Sequence, residues 1–514
     1  MKSKIKAAIL FLVVFFSINI MLAGCTNTQG NDIDNITIKT DNLEPVTLTF
    51  YMAGEEKKDT KEVLDKVATA TNLNIKLDFK WFSIDKYFDC VKAAFASKED
   101  FDAFLCGKFE QGANNIIDMF RNGQIKDISE LLPKYAPAIC SQLSQEELDI
   151  AKVDGKLVYV PSMFPSVSVL GVYVRDDIAD KYSITAINTL EDYEELLKKI
   201  KENEKNILPG FITGNNKYNI SFYANAYGYI VLDYSQNLVY KWNDPEMKII
   251  PWEQTAGFKE TAGFISRWFT NGYMEISSQQ KETASFISRT GNLYEGPIKL
   301  DLFNDGNMET YTLNILYKNE KTQRISSFND STIGVAAFNS SSKNTERALA
   351  FLNWIQDSQE NYDLFNFGIE NRHYLLKDNR IDMPEGISIS DNPYWWHELT
   401  NNLLNAAFMN IRYHRQSVND TQPYNYYKDY MKYTQSHTSY APHEGFCPDY
   451  LNIQADCTKR MQIYSSRISD AFQRGKYNTD QTDIIIEELK NAGAEQIVDE
   501  IQRQLDQWRS VNKK

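Results

Sequence analysis

The stretch that decides the fold of this chain is VTLTFYMAGEEKKDTKEVLDKVATATNLNIKLDF, residues 46–79. Both of its ends alternate apolar and polar side chains, which predicts two strands. Between them, residues 59–71 carry valine and leucine at helical spacing. A second helical pattern covers residues 84–95, and the apolar run FDAFL at 101–105 predicts a third strand. This βαβαβ order predicts a parallel sheet with right-handed crossovers.

The carboxyl ends of these three strands are where we expect a ligand, because open α/β sheets bind ligands beyond that edge. The first strand leads into Gly54 and Glu55, and the third leads into Gly107 and Lys108. Trp81 follows the second strand. We take these five residues as ligand-binding candidates. The alternatives are a lysine that is merely solvated and a tryptophan that only covers the lobe.

The rest of the chain continues to alternate strand and helix patterns. A turn at Asp154-Gly155 precedes an extended run, and residues 171–177 predict another strand. Thr189, with Asp192 three residues later, predicts the N-cap of a helix. Apolar residues at helical spacing predict further helices over 258–269, 348–355, 480–491 and 494–509.

The N-terminus has the organisation of a secretory signal, with three early lysines followed by an apolar run at residues 7–21. LAGC, residues 22–25, resembles the lipobox of bacterial lipoproteins, in which the cysteine is diacylated and the chain is cut just before it. The resemblance implies a signal peptide at 1–24 and a lipid anchor at Cys25. The polar residues 25–44 predict a flexible tether. The alternatives are an uncleaved membrane anchor and a plain signal with an accidental cysteine.

Composition bounds the classes of function. The chain has 514 residues, more than one core usually supports, so we expect more than one domain. A formal net charge of −14 argues against charge-driven binding to nucleic acid or to an anionic membrane surface. The 30 Tyr, 28 Phe and 8 Trp leave aromatic faces available for stacking on a solute. Cys447 and Cys457 either form one bridge or are buried hydrophobes.

Motifs for catalysis and for metal binding are absent from the sequence. It contains no GxSxG, no Walker loop and no HExxH, and its five histidines form no tight cluster. No carboxylate pair lies in a recognisable glycosidase motif. Residues 301–307 depart from the EF-hand pattern and are interpreted as an ordinary turn. We therefore expect no catalytic residue, no metal and no cofactor.

Several stretches, taken in their order along the chain, resemble the family 1 extracellular solute-binding proteins of ABC transporters. They resemble in particular the LipO-like lipoproteins, which have a characteristic C-terminal region. Two features depart from the family: residues 301–323 are unusually polar, and Asn371 stands where a glycine is expected. The similar stretches are VDGKLVYVPS (153–162), VYVRDDIADKYSI (172–184), NTLEDYEELLKKIKENEKNILP (188–209), DPEMKIIPWEQTAGFKETAGFISRWFTNGYM (244–274), NSSSKNTERALAFLNWIQDSQENYDLFNFGIENRHY (339–374) and ELKNAGAEQIVDEIQRQLDQW (488–508).

The resemblance implies an α/β, two-lobed, periplasmic-binding-protein-like fold of type II, with a hinge between the lobes. Residues 45–158 and 333–376 are expected to form lobe one. Residues 159–332 and 377–514 are expected to form lobe two, which ends in the family-specific region at about 440–514. A solute is trapped between such lobes by hinge closure.

The resemblance also implies a function. It implies a lipid-anchored, extracellular solute-binding component of an ABC importer, held at the outer face of a bacterial cell membrane. The expected partners are ABC permease subunits and a small-molecule solute, most simply a carbohydrate or oligosaccharide, whose apolar ring faces suit aromatic side chains. Two alternatives stay open. One is a binding protein for peptides or other polar solutes, and the other is a carbohydrate-active or sensing surface lipoprotein.

Four further residues are candidates for contact with the solute. Tyr294 lies in a glycine-flanked loop where this class often places an aromatic residue. Met163 follows the crossover run at the expected floor of the cleft. Trp395 is either a cleft wall or a cover for one lobe. Phe446 lies where the family chain turns back through the cleft before its terminal helices. For each of them, simple packing is the alternative.

Overall fold

The structure is a computed structural model of the chain. Within the part that it describes, no helix has both the length and the apolar composition that crossing a bilayer requires. The described residues are 43–107, 116–161, 167–212, 216–275, 282–290, 297–300, 309–314, 316, 325–326, 328–329, 333–377, 380–388, 391–394, 438–439, 441–473 and 475–512.

The described strands form two larger sheets, one three-stranded sheet and several two-stranded ladders. Their bounds fix the labels used below. In chain order the strands are β1 (Val46–Ala53), β2 (Ile75–Phe82), β3 (Ala103–Gly107), β4 (Lys152–Val153), β5 (Lys156–Leu157), β6 (Val160–Pro161), β7 (Val167–Arg175), β8 (Gly210–Ile212), β9 (Tyr229–Asp233), β10 (Leu238–Lys241), β11 (Ile250–Pro251), β12 (Met274–Glu275), β13 (Ser285–Thr290), β14 (Pro297–Leu300), β15 (Glu309–Asn314), β16 (Ile325–Ser326), β17 (Phe328–Asn329), β18 (Ile333–Phe338), β19 (Leu375–Lys377), β20 (Arg380–Asp382) and β21 (Thr438–Ser439).

Helices separate most of these strands. Single turns of 3₁₀-helix lie at Ile84–Lys86, Trp252–Gln254 and Thr479–Gln481, and a π-helical turn lies at Ser465–Ser469. In chain order the described α-helices are α1 (Thr60–Ala70), α2 (Tyr87–Ser97), α3 (Ile116–Arg121), α4 (Leu131–Tyr135), α5 (Pro137–Cys140), α6 (Gln145–Ile150), α7 (Asp176–Tyr182), α8 (Leu190–Asn203), α9 (Asn216–Ala226), α10 (Ala256–Thr270), α11 (Thr345–Asp357), α12 (Gln359–Phe367), α13 (Gln454–Tyr464), α14 (Asp470–Gln473), α15 (Thr482–Asn491) and α16 (Ala494–Asn512).

The first sheet has the strand order β2-β1-β3-β18-β6. β1 is parallel to β2 along its whole length, from Val46 opposite Ile75 to Ala53 opposite Phe82, and it is parallel to β3 on its other side. β18 runs antiparallel to β3, and β6 runs antiparallel to β18. The predicted parallel βαβαβ unit is confirmed, although β2 and β3 begin slightly later than predicted. The chain passes from β1 to β2 on one side of it and then crosses to β3 on the other side. The sheet therefore has a topological switch point between β1 and β3.

A first core surrounds this sheet and draws its buried side chains from residues 48–160 and 336–394. The predicted apolar face of α1 is confirmed, since Val63, Leu64 and Val67 are all buried. This core continues past the predicted end of lobe one at residue 376, because Ile381 and Tyr394 are fully buried in it. Burial of these aliphatic and aromatic side chains is what stabilises the lobe.

The second sheet has the order β12-β8-β13-β7-β15-β14, and β17 pairs with the start of β7. β12, β8 and β13 are parallel, whereas β7 and β15 run antiparallel to their neighbours. The second core that packs on this sheet takes buried side chains from residues 172–287 and again from 464–489. The C-terminal region is therefore part of the packing of the second lobe.

A three-stranded antiparallel sheet, in the order β11-β10-β9, joins the C-terminal helices to the rest of the protein. Its apolar side chains form a third core with those of α16, in which Ile497, Ile501 and Leu505 are fully buried. These three residues form the predicted apolar face of the last helix, and that prediction is confirmed. Helix α16 begins after Gly493, whose φ of +100° is accessible mainly to glycine.

Two polar clusters reinforce this packing. Arg460 of α13 and Glu253 of the Trp252–Gln254 turn form an ion pair of 2.6 Å, and both side chains have no exposed surface. Arg460 also donates to the main-chain oxygen of Gln236. In the second cluster, the Tyr450 hydroxyl donates to Asp233 at 2.7 Å. Both clusters tie the C-terminal region to the loops that flank β9 and β10.

The turn that opens the C-terminal region also reaches the first core. Cys447 packs against that core, and a Cβ added at Gly445 would lie 3.1 Å from the main-chain oxygen of Asp149 at the end of α6. On the other side, His443 Nδ1 lies 2.9 Å from the Tyr240 hydroxyl in β10. The turn at 441–447 thus contacts both the first core and the three-stranded sheet.

Local predictions are largely confirmed. Thr189 caps α8 in a capping box with Asp192. Asn371, which stands where the family has a glycine, adopts a φ of +64°, so the left-handed turn is kept by a residue that tolerates that conformation. Asp154 and Gly155, both with positive φ, form the turn between β4 and β5. No disulfide joins Cys447 to Cys457, so the alternative of a bridge is wrong in this structure.

Candidate functional site

The candidate site is the carboxyl-terminal edge of the first sheet. Gly54 follows β1 directly and is buried, and its N–H donates to the main-chain oxygen of Phe82 at 2.7 Å. Its φ of +120° is a conformation that only glycine adopts without strain. Glu55, the next residue, is exposed. Gly54 therefore ends β1 against β2, and Glu55 is the first carboxylate beyond the edge.

An aromatic group borders this edge on β2. Trp81 pairs with Met52 of β1, is half-buried against the first core, and has its indole Nε1 buried. The ring of Phe79 lies 6.4 Å from it, in a tilted arrangement that supports the indole from within the core. A partly exposed and partly supported tryptophan is the kind of group on which the apolar face of a ligand stacks.

The pairing of β1 with β3 stops before either strand ends. The ladder contains only Phe50 with Ala103 and Tyr51 with Phe104, although β1 continues to Ala53 and β3 to Gly107. At the same level the β3–β18 ladder is irregular: Cys106 pairs with Gly334 and Phe104 with Ala337, so Leu105 stands opposite two residues of β18. Such bulges are frequent beside functional sites, where they redirect a strand.

The hydroxyl of Tyr87 fills the gap that this divergence leaves. It accepts from the Leu105 N–H at 2.7 Å and lies 3.1 Å from the main-chain oxygen of Tyr51, to which it donates. Tyr87 is the first residue of α2, and its side chain is 1 % exposed. Sequence reasoning missed this residue, because an aromatic residue at the start of a crossover helix has the pattern of an ordinary core residue.

Two charged residues beside the first sheet, one in β2 and one before β3, are paired with one another. Lys80 forms a 2.6 Å ion pair with Glu99, and that hydrogen bond, with a second from Tyr51, lowers the pKa of Glu99. Burial, reinforced by Glu99, raises the pKa of the Tyr51 hydroxyl. Among the described residues, no cluster of His, Cys, Asp or Glu has the arrangement of a metal site.

The structure brings together four of the predicted ligand candidates, since Gly54, Glu55, Trp81 and Gly107 all lie at the end of the first sheet. Phe446 lies elsewhere. Its ring is 9 % exposed and packs in the third core, 5.8 Å from the ring of Trp508. In this conformation it offers little surface to a solute.

The remaining candidates cannot be compared with the structure. The proposed anchor and four of the predicted ligand contacts lie outside the described residues. They are Cys25, Lys108, Met163, Tyr294 and Trp395.

The C-terminal region matches a family model described as a domain of unknown function, DUF3502, over residues 442–510. The match begins within the turn at 441–447 and includes α13 to α16. It therefore covers the segment that packs on the three-stranded sheet. No curated protein matches the chain.

Solved structures share the fold over nearly all of the chain. The N-glycan transport solute-binding protein NgtS of Streptococcus pneumoniae is 19 % identical, with a TM-score of 0.67 over 92 % of this chain and 100 % of that one. Its complex with Man5GlcNAc gives a TM-score of 0.55 at the same identity and coverage.

Two other binding proteins share the same architecture. An extracellular solute-binding protein of Bifidobacterium longum subsp. infantis is 12 % identical, with a TM-score of 0.57 over 90 % of this chain and 98 % of that one. The ABC-transporter substrate-binding protein FusA of S. pneumoniae, in complex with kestose, is 15 % identical, with a TM-score of 0.53 over 90 % and 99 %. The predicted fold class is confirmed: the chain has the two-lobed, type II fold of the extracellular solute-binding proteins of ABC transporters, and its residues 442–510 match the DUF3502 model.

Proposed function

We propose that this protein is the solute-binding component of an ABC importer and that it binds an oligosaccharide between its two lobes. The observation that carries the proposal is the shared fold over about nine tenths of the chain with binding proteins named for N-glycan transport and, in FusA, solved with kestose.

The chemistry of the sheet edge supports a sugar. Trp81 is a half-buried aromatic residue at this edge, and the C–H faces of a sugar ring stack on aromatic side chains. The exposed carboxylate of Glu55 and the main chain at Gly54 and Gly107 supply hydrogen-bonding groups for hydroxyls. The solved structures that share this fold are named as solute-binding proteins, and on that ground we propose that the protein is not an enzyme.

The lobes of the proposed receptor follow the observed cores. We propose that lobe one consists of about residues 45–160 and 333–394, and that lobe two consists of the intervening segment and the C-terminal region. The extension of lobe one past residue 376 rests on Ile381 and Tyr394 in the first core. Closure of the lobes around the solute would present it to permease subunits.

We also propose that Cys25 is diacylated and holds the protein at the outer face of the cell membrane. Acyl chains hold a protein there by burying methylenes, each contributing about 0.8 kcal/mol. In the producing bacterium, radiolabelled palmitate should be incorporated into the wild-type protein, and Cys25→Ala should be unlabelled and released from the membrane fraction. Labelling of Cys25→Ala would contradict the anchor.

The experiment that tests the solute proposal is a thermal-shift panel on the protein without residues 1–30, all of which precede the described part. Man5GlcNAc, kestose, monosaccharides and tripeptides are compared, and mass spectrometry checks that each bound compound is intact. A ligand at a hundredfold excess over its dissociation constant stabilises the folded state by about 2.7 kcal/mol. A shift with an intact oligosaccharide supports the proposal. A shift only with peptides, or a sugar returned cleaved, contradicts it.

A further inference from the structure

The switch point of the first sheet contains a device that the proposed function does not by itself require. Two independent irregularities coincide there: β1 stops pairing with β3 after Tyr51, and the β3–β18 ladder skips Leu105. By contrast, β1 pairs with β2 without interruption up to Ala53. The divergence is therefore confined to one side of β1, the side on which the chain reverses its direction across the sheet.

A buried side chain bonds both strands at this level. The Tyr87 hydroxyl accepts the Leu105 N–H at 2.7 Å and donates to the Tyr51 carbonyl 3.1 Å away. The next rung of a parallel ladder would join main-chain groups of the two strands directly. Here one hydroxyl bonds main-chain groups of both strands, and it also lies 3.3 Å from the Leu105 carbonyl oxygen.

The ring of Tyr87 is itself fixed. It packs edge-on against Phe88 at 5.0 Å and lies 6.5 Å from Phe82, and the helix that carries it crosses from β2 to β3. The hydroxyl therefore has a set position between the strands. Beyond it, the two strands end at Gly54 and Gly107, which lack side chains that would fill the opening.

We infer that Tyr87 is a positioning residue of the solute site: its hydroxyl holds β1 and β3 apart at their carboxyl ends and so forms a notch that receives one sugar of the bound oligosaccharide. The inference rests on the proposed function, because it assigns a part of the same site. Tyr87 does not itself contact the sugar. It sets the positions of the main chain at Gly54 and Gly107.

The test compares Tyr87→Phe with Tyr394→Phe by calorimetric titration, using Man5GlcNAc first and otherwise the oligosaccharide that wild type binds in the panel. Tyr394 is the matched control, since it is equally buried in the first core and its hydroxyl donates to the main-chain oxygen of Phe365 at 2.5 Å. Both variants lose one buried hydroxyl, so both should melt earlier. Only Tyr87→Phe should weaken binding, by at least about tenfold, which corresponds to about 1.4 kcal/mol.

Each outcome bears on the inference. If both variants keep wild-type affinity, or lose it equally, Tyr87 has no positioning role and the inference is overturned alone. If wild type binds no oligosaccharide, the proposed function falls and takes the inference with it. Should Tyr87→Phe not fold, hydrogen exchange on wild type replaces it. The sugar should then slow exchange in the peptide spanning β3, and unchanged exchange there, with protection elsewhere, would overturn the inference.

Discussion

The ion pair between Arg460 and Glu253 offers the sharpest test of how the DUF3502 domain is held. Neither side chain has exposed surface, and a single hydrogen bond of 2.6 Å joins them. Among the described residues, Arg460 Nε and Glu253 Oε2 have no hydrogen-bond partner. The perturbation we propose is Arg460→Met, alone and combined with Glu253→Met.

The magnitudes follow from this incomplete pairing. Arg460→Met leaves a buried carboxylate with no cation beside it, and breaking a buried pair in this way costs about 3–5 kcal/mol. The double substitution removes both charges together with two unsatisfied polar atoms, each of which costs about 1–3 kcal/mol when buried. We therefore expect the double variant to equal wild type or to exceed its stability by up to about 4 kcal/mol.

Urea unfolding followed by far-UV circular dichroism and tryptophan fluorescence measures these differences. Arg503→Met is the matched control, because Arg503 of α16 pairs with Glu500 at 2.7 Å but is 61 % exposed. That substitution should change the unfolding midpoint little. If Arg460→Met behaves like Arg503→Met, or if the double variant is no more stable than Arg460→Met alone, the reasoning about the buried pair is refuted.

Three further predictions concern stability. Burial lowers the pKa of the His373 imidazole, so as the pH falls the unfolded state binds the proton before the folded state does. The neutral imidazole therefore contributes its full share of the free energy of unfolding above about pH 6.5, and this share is lost as the pH falls through the pKa of the folded state. The urea midpoint should therefore fall between pH 7.5 and 5.5, and more steeply than in His373→Gln; equal slopes would contradict this. Tyr159→Phe should raise stability by about 1 kcal/mol, since the fully buried hydroxyl has no partner among described residues, and a lower melting temperature would count against it. Gly475→Ala should destabilise the protein more than Gly155→Ala does. Both glycines have a positive φ, which costs an alanine about 1 kcal/mol, but only at Gly475 would the added Cβ collide with the Phe269 side chain. Equal melting temperatures of the two variants would contradict the collision.

Local periodicity was sufficient to predict much of the fold. The alternation in residues 46–79 gives the parallel strands, and the spacing of Val63, Leu64 and Val67 gives the buried face of α1. The capping box at Thr189 was likewise readable, because the cap and its partner lie three residues apart. These features depend on neighbours along the chain, which a sequence displays directly.

Contacts between distant residues could not be predicted in the same way. Arg460 and Glu253 are 207 residues apart, and an arginine in a polar helix has the pattern of a solvated side chain. The gap at Leu105 depends on two registers and on Tyr87 together, none of which has a sequence signature. Four ligand candidates could be placed at one edge because that edge follows from the strand order alone.

The position of the C-terminal helices has a consequence for the order in which the chain matures. The second core includes side chains from residues 464–489, and the third needs α16, so neither can close until the end of the chain is available. A protein exported through a translocase must stay unfolded while it passes. If the chain is exported as proposed, late closure of the second lobe would keep it unfolded during passage and would leave any product that stops short of α16 open to proteases.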